Sequence, residues 1–140
     1  MPFTLTEAHV RSFLDPASTG DWVPFVTAID PNVRWTIANT REDMNCCTGV
    51  FNLQEWLDKV TPSMRTKLEG SLQMKVGALD IIGNKAIIEA TAVDTMQKNG
   101  KPYDQRYCWI MIFDDETGKA VVINEYMNTA LVKEVMETNP

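Results

Sequence analysis

The chain has 140 residues, a formal net charge of −6 and a pI near 4.7, a length that fits one domain able to bury about two-thirds of its unfolded surface. The acidic balance, with Lys and Arg scattered, argues against nucleic acid or an anionic membrane as partner, since either needs a basic patch to neutralise phosphates. No stretch approaches about 18 consecutive apolar residues, and the N-terminal Met1-Pro-Phe-Thr-Leu-Thr-Glu lacks the basic-then-apolar order of a signal peptide, so a soluble, cytoplasmic protein is expected.

In chain order, Thr4-Leu-Thr-Glu7 has capping-box spacing and predicts a first helix with Val10, Phe13, Leu14 and Ala17 on one face, ending near Pro16 and Gly20. Asp21 is a fair N-cap for a second helix carrying Trp22, Phe25, Val26 and Ile29 inward, with Pro24 in its first turn and Asp30-Pro31 ending it. The period then switches to two: Val33, Trp35 and Ile37 alternate with Arg34, Thr36 and Ala38 as a strand. After a polar loop from Asn39 to Val50, Asn52 caps a third helix with Glu55 three residues on and Leu53, Trp56, Leu57 and Val60 as its buried stripe. Pro62 is expected to limit that helix, and Ser63 to Glu69 to add a short helical piece.

Beyond Gly70 the chain reads as strands parted by turns: Leu72 to Val76, then Gly83-Asn84, Lys85 to Thr95, Asn99-Gly100, Tyr103 to Phe113, Asp114 to Gly118, and Lys119 to Met127. Asn128 or Thr129 caps a terminal helix with Ala130, Leu131, Val132, Val135 and Met136 inward or partly so. Helices first and a meander after them predict an α+β domain over residues 1–140, a curved, mostly antiparallel sheet with helices on its concave face, enclosing a pocket. The three cysteines, Cys46, Cys47 and Cys108, have neither disulfide-framework nor zinc spacing and read as structural thiols. His9 reads as a satisfied or exposed histidine, and neither a metal nor a cofactor is expected.

One residue stands out chemically. Glu125 lies among Val121, Val122, Ile123, Tyr126 and Met127, where a carboxylate is costly to bury unless paired, hydrogen-bonded or protonated. It is either a pocket acid with a pKa raised toward neutrality or a surface residue paired with Arg106 or Lys119. Glu89, in the apolar run Ala86 to Val93, shares a face with Ile87, Thr91 and Val93, and either forms a dyad with Glu125 or bonds to a loop. Tyr107 and Tyr126, with Gln105 and Asn128, are candidate donors to a developing oxyanion. Trp35, Trp56 and Trp109 suit the walls of an aromatic-ligand pocket, although core packing explains them too. Both faces of Tyr107 to Phe113 are apolar, which predicts a cover on each side and a two-fold homodimer through the sheet.

The element order together with Asp115-Glu-Thr-Gly-Lys-Ala-Val-Val-Ile-Asn-Glu-Tyr-Met-Asn-Thr129 and Asn99-Gly-Lys-Pro-Tyr-Asp-Gln-Arg-Tyr107 resembles the nuclear transport factor 2-like superfamily, in its SnoaL-like polyketide cyclase and ketosteroid isomerase-related branch. The resemblance implies a conical α+β barrel around an apolar pocket, and acid/base chemistry (isomerase, cyclase or lyase) on a small polycyclic or polyketide-like molecule. Many such cyclases end the last strand Glu-Tyr-X-Asp with the Asp as acid/base; this chain has Asn128 there. Phenazine-biosynthesis relatives have an ending like Arg-Glu-Phe-Met-Asn with the Glu as the working acid, which places that role on Glu125. The residue types around it give Tyr107 and Asn128 as assisting groups and Trp35, Glu89, Gln105, Trp109 and Tyr126 as substrate-binding ones. The alternative is a non-catalytic ligand-binding or dimeric interaction module of the same fold. The histidine pair of scytalone dehydratase relatives is not available from His9 alone, and Asp104 with Arg106 matches the epoxide hydrolase set poorly.

Overall fold

The structure, a computed structural model, describes residues 2–140. Helix α1 (Glu7–Leu14) is capped by Thr6, whose hydroxyl accepts from His9 N at 3.1 Å. The cap therefore falls two residues later than the Thr4 box predicts, which turns Val10, Phe13 and Leu14 inward. A 3-10 turn (Asp15–Thr19) follows and ends at Gly20 in the left-handed region, φ 85°. Helix α2 (Val23–Thr27) is shorter than its apolar periodicity suggests. Ile29 opens strand β1 (Ile29–Ile37) instead, because the chain pairs with a late strand there: Ala120 N donates to Ala28 O at 2.9 Å.

Part of the expected polar loop becomes β2 (Gly49–Phe51), antiparallel to β1. Asn52 and Glu55 form the predicted capping box at the start of α3 (Leu53–Glu55). Pro62 does not end the helical run. A π-helical turn (Trp56–Val60), in which Thr61 N donates to Trp56 O, carries it into α4 (Thr61–Arg65). The wider turn absorbs one extra residue where proline has no N–H to give. Trp56, Val60 and Met64 thereby stay on the side that faces the sheet.

The strands that follow are β3 (Leu68–Glu69), β4 (Gln73–Ile82), β5 (Lys85–Val93), β6 (Met96–Gln97), β7 (Arg106–Phe113) and β8 (Ala120–Met127), and α5 (Thr129–Thr138) closes the chain. Leu68–Glu69 thus pairs with Met96–Gln97 where a helical piece was expected. The main sheet has six strands in the order β2-β1-β8-β7-β5-β4, with β1 and β8 parallel and the other pairs antiparallel. Register slips at Gly77 of β4 and Val121 of β8 mark bulges that bend the sheet. The helices lie over the concave side, giving the α+β layout predicted.

Val132 and Val135 form the inward stripe of α5, which leaves Ala130 exposed. The helix end is tied down by buried Asn139, whose Nδ2 donates to Gln97 Oε1 and Val135 O, both at 2.9 Å. No helix among the described residues is long and apolar enough to cross a membrane.

Candidate functional site

Glu125 enters the interior because β8 alternates without interruption around it. Pairing with β7 runs in step from Ile112 against Val122 to Tyr107 against Met127, and the slip at Val121 falls before that run. Ile123, Glu125 and Met127 therefore share the inner face, and Val122, Asn124 and Tyr126 the outer one. Glu125 is 7% exposed.

Each neighbouring strand sets an indole beside it. Trp109 of β7 is the direct cross-strand partner of Glu125, and on β1 Trp35 stands two residues before Ile37, the residue aligned with Glu125. Trp35 Nε1 donates to Glu125 Oε1 at 3.0 Å. Trp109 Nε1 is buried without a partner of hydrogen-bonding geometry, yet lies close enough to favour the ionised carboxylate. Among the described residues no ion pair reaches Glu125, so the surface pairing with Arg106 or Lys119 does not form. Burial raises the carboxyl from 4.5 to about 7, against the smaller downward pull of the Trp109 and Trp35 N–H groups.

The carboxyl lines a cavity of about 510 Å³ between the sheet and the helices. All 4 tryptophans of the chain contribute to its wall, Trp22, Trp35, Trp56 and Trp109, together with Phe25. Trp35 stacks on Trp56 with centroids 4.4 Å apart, and Trp22 Nε1 is held by Leu72 O at 2.8 Å. Leu57, Val60, Thr61 and Met64 of the interrupted helix complete the roof.

The remaining polar groups are few. Tyr103 and Tyr107 share a hydrogen bond between their hydroxyls at 2.8 Å, and burial raises the pKa of both. Cys47, in the left-handed region at φ 57°, also lines the cavity, its thiol pushed up to about 12 by burial and then by the charge of Glu125. Cys47 sits in a loop whose sequence carries no periodic signal, and Tyr103, which opens the stretch read as a strand from Tyr103 to Phe113, lies before β7 begins at Arg106; the sequence reading passes over the place of both in the pocket, and of Thr61, whose Oγ1 is buried without a partner.

Four sequence expectations are corrected. Glu89 is exposed on the outer face of β5, because the inner face is Ala86, Ile88, Ala90 and Ala92, so no dyad with Glu125 exists. Tyr126 is 49% exposed on the outer face of β8. The exposed Asn128 caps α5 by accepting from Leu131 N at 3.2 Å, and does not face the cavity. Buried Gln105 is a clamp outside the cavity: Nε2 donates to Asn128 O at 2.9 Å, and Oε1 accepts from Asn128 N at 3.0 Å and Arg106 N at 3.1 Å. Gln105→Ala orphans these backbone groups and is expected to cost about 2 kcal/mol in urea unfolding. A loss below about 0.5 kcal/mol would show the clamp to be idle. Trp35, Trp109 and Tyr107 are where the sequence reading places them, on the pocket wall.

No family model matches the chain, and no curated protein matches it by sequence. Solved structures do. The fold is similar to that of an NTF2-like protein from Burkholderia thailandensis, at TM-score 0.69 and 22% identity over 92% of this chain and 95% of the other. It is also similar to PrhC from Penicillium brasilianum, at TM-score 0.71 and 15% identity over 93% and 84%. A third likeness is to TerC co-crystallized with polyporic acid, at TM-score 0.69 and 12% identity over 94% and 97%. The architecture is the NTF2-like fold.

Proposed function

We propose that this chain is an acid/base enzyme of isomerase, cyclase or lyase type, acting on a small hydrophobic, polycyclic or polyketide-like molecule, with Glu125 carrying the proton. One observation supports this most: a carboxyl with no cationic partner, titrating at about 7, on the wall of an apolar cavity. At neutral pH such a group both gives and takes a proton, which is what double-bond migration, ring closure or elimination requires. A module that only held a ligand would have no need of a buried acid, whose ionised form is disfavoured there. The co-crystallization of TerC, a protein of similar fold, with polyporic acid supports a small-molecule partner. Trp35 orients the carboxyl, and Tyr107, bonded to Tyr103 on the cavity wall, offers a hydroxyl for a substrate oxygen.

The test is exchange from deuterated water into a panel of polycyclic ketones and phenols, read by mass spectrometry. Incorporation by the unaltered protein that is lost in Glu125→Gln is the expected result. Equal incorporation by the two proteins would overturn the assignment.

The outer sheet face supports a two-fold homodimer. Ile87, Ile110, Ile112 and Val122 are only partly covered there and lie in cross-strand contact, with Tyr126 beside them. Ile110→Lys is expected to convert a dimer to a monomer in sedimentation while leaving the melting temperature of the monomer fold unchanged. A monomer from the unaltered chain at micromolar concentration would count against the dimer.

A further inference from the structure

The proton transfer proposed for Glu125 leaves one buried group beside it unused, the indole N–H of Trp109. That Nε1 is enclosed by its neighbours and bonded to nothing, a state costly enough that native proteins keep few such atoms without a purpose. The ring is held where it is: Tyr107 stacks on it at 5.5 Å, Phe25 lies 5.7 Å away, and β7 is paired on both sides. Its direct partner across β8 is Glu125, and the N–H lies close enough to the carboxyl to favour the ionised form. Trp35 Nε1 occupies one carboxyl oxygen, Oε1, at 3.0 Å, and among the described residues the other oxygen accepts from no donor. A protonated carboxyl carries a hydroxyl on one oxygen, which offers a hydrogen of its own, whereas an ionised one accepts through both. The second indole therefore has a partner in one protonation state of the acid, the charged one.

We propose that Trp109 is a positioning residue for the acid: its N–H stays unbonded while Glu125 holds a proton, and bonds to the second carboxylate oxygen once that proton has passed to the substrate. The proposal rests on Glu125 being the proton carrier and adds how its charge is received where no ion pair reaches it. In this step the proton leaves the carboxyl oxygen for the substrate, the electron pair of the O–H bond stays on the carboxylate, and both indoles keep their own hydrogens. Return of a proton from the substrate reverses the step and releases the Trp109 N–H. The donor stands in place before the charge develops, so receiving that charge requires no movement of β7.

The other titratable groups near Glu125 are Cys47 from the loop before β2, Tyr107 from β7 and Tyr103 just ahead of that strand. Burial raises all three, which keeps them neutral between pH 5 and pH 8. Asp21 and Arg65 line the cavity only at its exposed rim. Glu125 is thus the enclosed group whose titration the Trp109 N–H would register.

The test is proton–nitrogen NMR of the 4 indole N–H groups from pH 5 to pH 8, with Trp22, Trp35 and Trp56 assigned by replacement with Phe and Trp109 by elimination. The Trp109 signal is expected to move downfield with a midpoint at about 7 and to stand still in Glu125→Gln. Trp22, whose Nε1 is bonded to Leu72 O at 2.8 Å, is the fixed reference. Trp109→Phe keeps a ring at the site but no N–H, and should lower the ionisation constant of Glu125 at least about tenfold in an infrared titration. The pH profile of deuterium exchange should move up with it. A Trp109 signal that does not titrate, or an unchanged Glu125 midpoint in Trp109→Phe, overturns the proposal. The first is read on the unaltered protein, so it decides even if Trp109→Phe does not fold. A still Trp109 signal with Glu125-dependent exchange removes Trp109 from the mechanism and leaves the acid/base reading standing. A Trp109 signal that follows Glu125, with exchange that does not depend on Glu125, upholds the indole bond and ends the proton shuttle.

Discussion

Glu125→Gln is expected to lower turnover by on the order of 10²- to 10⁴-fold while making the protein more stable above neutral pH. The amide keeps the size of the side chain and an oxygen for the Trp35 N–H, but has no proton to shuttle. The stability effect follows from linkage. The carboxyl titrates near 4.5 when unfolded and at about 7 when folded, so its protonated form is the one the fold accommodates. Its contribution to stability is fully present below pH 4.5 and is lost as pH rises through 7. At about 1.4 kcal/mol per unit, the loss is on the order of 3 kcal/mol. Thermal melts should therefore show the Gln variant gaining on the parent between pH 5 and pH 8. Parallel melting curves across that interval would mean that the carboxyl is solvated, and the shuttle would have no basis.

Trp35→Ala is expected to cost about 3–5 kcal/mol, in the range found for emptying a buried aromatic site. Trp35 is 0% exposed, stacks on Trp56, meets Phe25 edge-on and donates to Glu125. Removing it opens a void and strips the carboxyl of its one well-formed hydrogen bond. Trp35→Phe separates the two effects: it restores most of the volume, leaves the carboxyl without that N–H, and should push its titration still higher. Urea unfolding gives the first quantity, and infrared titration of the carboxyl gives the second. A loss below about 1 kcal/mol for Trp35→Ala would contradict the packing described.

The acid was readable from the chain because an ionisable residue inside a strictly alternating apolar strand has few places to go, and β7 and β8 alternate clearly enough to share one register. Glu89 was misread for a related reason. Alternation tells which residues share a face but not which face the core takes, and the inner side of β5 is marked mostly by small alanines while its outer side carries Ile87. Gln105 and Asn128 look like catalytic amides in sequence, yet backbone groups at a strand-to-helix junction claim them first. Cys47 reaches the cavity from an irregular segment for which no local pattern exists, whereas Tyr103 continues the alternation of Gln105, Tyr107 and Trp109 ahead of β7 and was legible as part of that strand, though not as a pocket residue. The helix across Pro62 was legible in its cap and in its inward stripe of Leu53, Trp56 and Val60, but not in its unbroken passage through the proline, since a π turn leaves the apolar spacing almost intact.

That turn also makes the roof tolerant of a change in length. Thr61 N reaches Trp56 O across one residue more than an α turn holds, so a single deletion between them closes the turn to regular α geometry and leaves Thr61 and Met64 over the cavity. Relatives that lack one residue at this point would keep the same roof over β1, β7 and β8.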